Sequence, residues 1–122
     1  GITAIVSLRQ RPIKELPAVQ FFRTLHLPTP DLHAPTLEQL QQGVEFIQKE
    51  IHNGGKVYIH CHLGEGRGPT LAIAYLMSSG MMFEDAYKSV KEVRPFIQPT
   101  KDQISRLQEY EELLKASAHY MV

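Results

Sequence analysis

The sequence predicts an α/β fold in a single domain. Three observations point to it. Short runs dense in β-branched and apolar residues recur at Gly1–Leu8, Val19–Leu27 and Lys56–Cys61. A capped amphipathic segment, Thr36–Asn53, separates the second run from the third. The third run breaks into a glycine loop that opens into a helical stretch, so it reads as strand, loop, helix. At 122 residues the chain is one domain, residues 1–122, long enough to bury a real core. Its 43% apolar and 21% charged residues are ordinary for a soluble globular chain.

Gly1–Leu8 is the first strand. Arg9–Pro17 follows as a loop that Arg9, Arg11 and Lys14 make locally basic; it is either a solvated loop or a rim that attracts anionic substrate. After the second strand, Pro28, Pro30 and Pro35 fix an extended loop with Asp31 in its middle. By itself Asp31 would be a turn residue or a cap. His26 and His33 flank it and read as exposed histidines. Thr36 and Gln39 form a capping box that opens the first helix. Leu37, Leu40, Val44, Ile47 and Ile51 give that helix one apolar face, and Gly54-Gly55 closes it. Gly43 inside it costs about 1 kcal/mol against alanine, and close packing is the one reason in view.

The only cysteine, Cys61, stands at the exit of the third strand, and Arg67 lies six positions on, where a helix begins. That helix is expected from Arg67 to Ser79, with Pro69 in its first turn and Gly80 after its end. A loop opening into a helix turns backbone N–H groups inward, and the helix N-terminus adds its positive end, which makes an anion cradle. Gly64, Gly66 and Gly68 let the backbone turn and approach a ligand. Arg67 adds a planar fork matched to two phosphate oxygens. A thiol in this cradle is pushed toward its thiolate. A third helix is expected over Phe83–Val93, with Ala86, Val90 and Val93 inward and Arg94-Pro95 as its stop. Arg94 reads as a structural donor. Thr100 and Gln103 form a second capping box before the last helix, whose inner side is Ile104, Leu107, Glu111 and Leu114, with Ser117–Val122 as a frayed end.

Other readings fit less well. A Walker A loop needs lysine and a hydroxyl residue after its last glycine, whereas Gly66 is followed by Arg67-Gly68. A dinucleotide loop needs a different glycine spacing. His60, Cys61 and His62 alternate across a strand, so their side chains diverge and no metal site is expected. Zero net charge argues against a nucleic-acid surface, and no run of apolar residues is long enough for a membrane span. A single cysteine rules out an internal disulfide and fits a reduced, cytoplasmic setting.

The stretch His60-Cys61-His62-Leu63-Gly64-Glu65-Gly66-Arg67 resembles the signature of the cysteine-based protein-tyrosine phosphatase superfamily, and is most similar to its small dual-specificity branch. The likeness continues through Pro28–Asp31 and Arg94–Thr100, so it covers nearly the whole chain.

The resemblance implies a central, mainly parallel mixed sheet flanked by helices, here without the first strand and helix that similar domains carry. It implies Cys61 as nucleophile, Arg67 and the amides of His62, Leu63, Gly64, Glu65 and Gly66 as the phosphate-binding loop, and Asp31 as general acid. His60 would shape the loop by hydrogen bonding, and Gln103 would stand near the attacking water, although capping alone explains it. No cofactor is implied. The substrate would be a phosphorylated protein or a small phosphate monoester, met by a monomer. Similar enzymes mostly carry serine or threonine directly after the arginine; Gly68 stands there instead, which predicts slow breakdown of a phosphoenzyme. Two other functions stay open, a phosphate-binding module with little catalysis and a phosphoinositide phosphatase. Glu65 speaks against the second, because it would repel a highly charged head group.

Overall fold

In a computed structural model, residues 1–11, 21–61 and 66–120 are described. The described elements are three strands, β1 (Ala4–Ser7), β2 (Arg23–His26) and β3 (Val57–His60), and four helices, α1 (Leu37–His52), α2 (Arg67–Ser78), α3 (Phe83–Val93) and α4 (Lys101–Tyr120), in the order β1, β2, α1, β3, α2, α3, α4. The strands form one sheet in the order β2-β1-β3, and both pairings are parallel. An antiparallel member, expected from the resemblance, is not among the described strands. The strands are shorter than the apolar runs that suggested them, since only four residues of each find ladder partners.

The register decides where chemistry can sit. Ser7 is level with His26 on one side and His60 on the other. All three strands therefore end on one line, and the segments that leave them start side by side. Backbone bonds continue past the ladder: Leu8 N–H donates to His60 O, Leu27 N–H to Ser7 O, and Thr29 N–H to Leu8 O, at 2.8, 2.8 and 3.2 Å. Loops beyond the carboxyl ends of parallel strands are where α/β proteins place their ligands.

Helix α1 starts at the expected box: Thr36 Oγ1 accepts from Gln39 N–H, and Gln39 Oε1 accepts from Thr36 N–H. Its inner face holds Leu40, Val44 and Ile47. Ile51, expected inward, is 45% exposed, and Glu50 takes the inner position instead. The periodicity missed this because Glu50 is buried as an ion, not as an apolar group. Its carboxylate accepts from Arg23 Nε and Nη2 at 2.5 and 2.6 Å and from Thr3 Oγ1 at 2.7 Å. Gly43 is explained by close packing: a Cβ there would stand 2.7 Å from Leu71 Cδ1 in α2 and 3.0 Å from Leu27 Cδ1.

The Glu50 cluster clamps α1 to the starts of β1 and β2, at the end of the sheet away from Cys61. The bonds from Arg23 and then Thr3 lower the Glu50 pKa from the ordinary 4.5 to about 2. An unfolded chain takes up this proton first as pH falls, so the stabilisation is full above about 4.5 and fades toward 2. Urea midpoints should fall more steeply over this window in the wild type than in Glu50→Gln. Parallel pH curves for the two proteins would remove Glu50 from the acid response.

Helices α1 and α2 pack against β3, and α3 and α4 pack on α2 and on each other. Val93 is 80% exposed, so the inner side of α3 is carried by Ala86 with half-buried Val90, and the expected third member drops out. On α4 the buried positions are Gln103, Leu107 and Tyr110, so Leu107 is inward as expected while Gln103 and Tyr110 take the places expected of Ile104 and Glu111. Glu111, which broke that stripe, has a role: its Oε2 accepts Phe83 N–H at 2.7 Å and caps the first turn of α3. Helix α4 also runs on to Tyr120 instead of fraying at Ser117.

Candidate active site

Cys61 follows directly on β3, so its position is fixed by the ladder behind it. Its Sγ receives the backbone N–H of Gly68 at 3.3 Å. Gly68 is the second residue of α2, so the sulfur lies against the positive end of a twelve-residue helix. That N–H is aimed at sulfur with no side chain beside it. A Cβ on Gly68 would come within 3.1 Å of Sγ, a tight contact, so any hydroxyl carried there would sit against the sulfur. Thr70 does not replace it, because its hydroxyl donates to Gly66 O at 2.6 Å.

Arg67 opens α2 and is buried, at 5% exposure. Its Nη1 donates to Thr29 O at 2.8 Å, and Leu8 O lies 3.5 Å from the same atom. The two carbonyls belong to the segments that leave β2 and β1. One edge of the guanidinium is thereby tied to the fold. Its Nε faces Asp31 Oδ1 at 3.8 Å. Asp31 itself is 67% exposed and accepts Leu32 N–H at 3.0 Å through Oδ1. The sheet ends and the proline loop thus bring Asp31 and Arg67 together. Residues 62–65 of the expected phosphate loop, His62, Leu63, Gly64 and Glu65, lie outside the described residues.

Two cavities meet this region. One of about 210 Å³ is lined by Arg9, Gln10, Arg11, Asp31 and Arg67. Of the basic loop, Arg9 and Arg11 thus line a cavity with Asp31 and Arg67, and Lys14 lies outside the described residues. A second, of about 340 Å³, backs onto Cys61 and Gly68 from the β3 side, with Tyr58, Pro69, Val90 and Arg94 among its walls. Arg94 makes no side-chain hydrogen bond or ion pair with the described residues, so its expected structural donor role is not seen among them.

The histidines divide. His26 was read as exposed, but it is half-buried and its Nε2 meets Arg9 O at 2.6 Å, pinning the basic rim to β2. His33 is exposed. His60 Nδ1 meets Tyr58 OH at 3.3 Å, and its buried Nε2 has no partner among the described residues. Burial, and then the charge of Arg9, lower the His60 pKa. Gln103 caps α4 as expected: Oε1 accepts Thr100 N–H at 2.9 Å, and Gln103 N–H donates to Thr100 Oγ1 at 3.2 Å. It is 1% exposed. Sequence reasoning missed Thr29, whose buried carbonyl holds Arg67; a backbone acceptor leaves no mark in residue type.

A family model, the catalytic domain of dual specificity phosphatases, matches residues 1–113. The chain belongs to this family. Dual specificity protein phosphatase 8 of Homo sapiens is 42% identical over 83 residues, which are 67% of this chain and 13% of that protein. The chain spans about half or less of the length of the curated relatives it matches. Among solved structures, Tk-PTP in the active form superposes with a TM-score of 0.82 at 36% identity, covering 91% of this chain and 79% of that one. PTPMT1 in complex with PI(5)P gives 0.88 at 25% identity, covering 96% and 81%.

Proposed function

We propose that this chain hydrolyses phosphate monoesters on proteins, phosphotyrosine above all and phosphoserine or phosphothreonine as well, through a cysteinyl-phosphate intermediate. The observation that carries the reading is the placing of Cys61 Sγ on the Gly68 amide at the head of α2, while Arg67, the next residue back, faces Asp31 across 3.8 Å. In this reading Cys61 is the nucleophile, Arg67 the phosphate clamp and Asp31 the acid.

The Cys61 thiolate attacks phosphorus and forms an S–P bond as the bond to the leaving oxygen breaks. Arg67 and the amides of residues 62–66 hold the equatorial oxygens while charge redistributes. Asp31 gives its proton to the departing alkoxide or phenoxide. Water then attacks phosphorus as Asp31 takes its proton, the S–P bond breaks, and inorganic phosphate leaves with the thiolate restored. This chemistry needs a thiolate and a protonated acid together, so kcat/KM should trace a bell against pH.

The test is phosphate release from an aryl phosphate with chelator present. Turnover should survive the chelator, and Asp31→Asn should lose about 10²–10⁴-fold in kcat, the usual worth of a positioned acid. Turnover that vanishes with chelator would contradict the mechanism. Absence of turnover with tight phosphate binding would favour a binding module. A second reading, a phosphoinositide phosphatase, draws on the likeness to PTPMT1, solved with PI(5)P, and on Arg9 and Arg11 lining the cavity beside Arg67. Glu65 weighs against it. Rates on a phosphotyrosine peptide and on a soluble inositol phosphate separate the two.

A further inference from the structure

We infer that Gln103, with Thr100, is a positioning residue that holds Asp31 over the reaction centre, an inference that rests on the phosphatase reading above. The starting observation is Leu32, directly after Asp31, which sits at φ 68°. A non-glycine residue in the left-handed region is strained and persists only where its surroundings hold it there. What holds it is α4. Thr100 Oγ1 donates to Leu32 O at 3.1 Å, and Gln103 Nε2 donates to His33 O at 3.0 Å. Within the loop, His33 N–H donates to Pro30 O at 3.1 Å, and Asp31 Oδ1 accepts Leu32 N–H. The turn that carries the acid is therefore closed on itself and tied at two successive carbonyls to one helix N-terminus.

Capping does not account for this arrangement. A capping box uses the glutamine oxygen and the threonine hydroxyl. It makes no use of Nε2, yet that atom is the one directed at the acid loop. Chemistry also fixes which end of the carboxamide points where, since Thr100 N–H needs an acceptor and His33 O needs a donor. A third contact joins the phosphate loop: a Cβ on Gly66, the residue before Arg67, would fall 2.6 Å from Gln103 Oε1. One buried side chain thus packs against the phosphate loop and bonds the acid loop, and sets the distance between them. Arg106 Nη1, one turn on, adds a bond to Pro35 O at 3.1 Å at the far end of the same loop.

The test compares two substrates that differ in their need for the acid. Phenyl phosphate has a poor leaving group and needs the proton; p-nitrophenyl phosphate has a good one and needs it less. Gln103→Glu keeps the acceptor for Thr100 N–H and removes the donor to His33 O. Its kcat/KM for phenyl phosphate should fall by about 10–30-fold, and for p-nitrophenyl phosphate by no more than about 3-fold, because only the acid step is disturbed. In an Asp31→Asn background the same change should alter either rate by less than about 2-fold, since the two residues act as one unit. If Gln103→Glu melts out, Gln103→Met, of similar length without charge, takes its place in the same comparison.

Equal losses on both esters, or a full further loss on top of Asp31→Asn, would reduce Gln103 to a structural residue and overturn the inference. A wild type and an Asp31→Asn variant that behave as a phosphatase and its acid mutant, beside a Gln103 variant that discriminates no better than wild type, would overturn it while leaving the phosphatase reading intact. A wild type that releases no phosphate from either ester would bring down both.

Discussion

Cys61→Ser should abolish phosphate release, with kcat falling by at least about 10⁴-fold, toward the roughly 10⁶-fold that loss of the nucleophile costs a serine protease. The reason is ionisation. A thiol ionises far more readily than an alcohol as a class, and the one amide seen on this sulfur, that of Gly68, cannot make a serine hydroxyl an equal nucleophile. The exchange swaps sulfur for a smaller atom at a half-buried position beside a bare glycine, so the fold should stay intact. Thermal melting within a few degrees of wild type, together with retained binding of inorganic phosphate, would show that only chemistry was removed. Turnover within about 10-fold of wild type would mean that another group attacks phosphorus.

Arg67→Lys should be nearly as damaging despite keeping the charge. A guanidinium can spend one edge on the fold and still present another to phosphate, and Arg67 is placed for this, with Nη1 on Thr29 O and Nε toward Asp31. An ammonium has one centre and must choose. The expected loss in kcat is about 10²–10³-fold, the cost of removing one well-placed electrostatic donor. Stability should also drop, by about 1–3 kcal/mol, because the buried Thr29 carbonyl loses its partner. A lysine variant with normal kcat and normal urea midpoint would show that the guanidinium geometry matters to neither.

Most of what positions the site was legible in the sequence, for physical reasons. A strand running into glycines and then a helix has few ways to fold, so the places of Cys61 after β3 and Arg67 at the start of α2 were readable from spacing. Three prolines around Asp31 mark a rigid loop in the same way. The capping boxes at Thr36 and Thr100 were readable because side-chain chemistry and spacing define them together. What could not be read depends on tertiary partners. Glu50 is buried because Arg23 and Thr3, distant in sequence, meet it. Glu111 breaks the apolar stripe of α4 because it caps α3. The carbonyls of Thr29, Leu32 and His33 do their work through the backbone, which residue type does not report. The role of Gly68 lies between these cases: a missing hydroxyl is visible in the sequence, but the N–H that meets the sulfur instead is visible only in the structure.

The most direct test is rapid mixing of the wild-type protein with excess aryl phosphate, followed by acid quench and mass measurement of the Cys61 peptide. If the mechanism is right, phenol is released in a burst close to one equivalent per chain. A phosphate mass then appears on Cys61 in the same time, and slower release follows as water attacks phosphorus and expels the sulfur, which takes the Gly68 amide and no side-chain hydroxyl at that position. Steady phenol release with no burst and no phosphate on Cys61, in a protein that turns over normally, would contradict covalent catalysis by this cysteine.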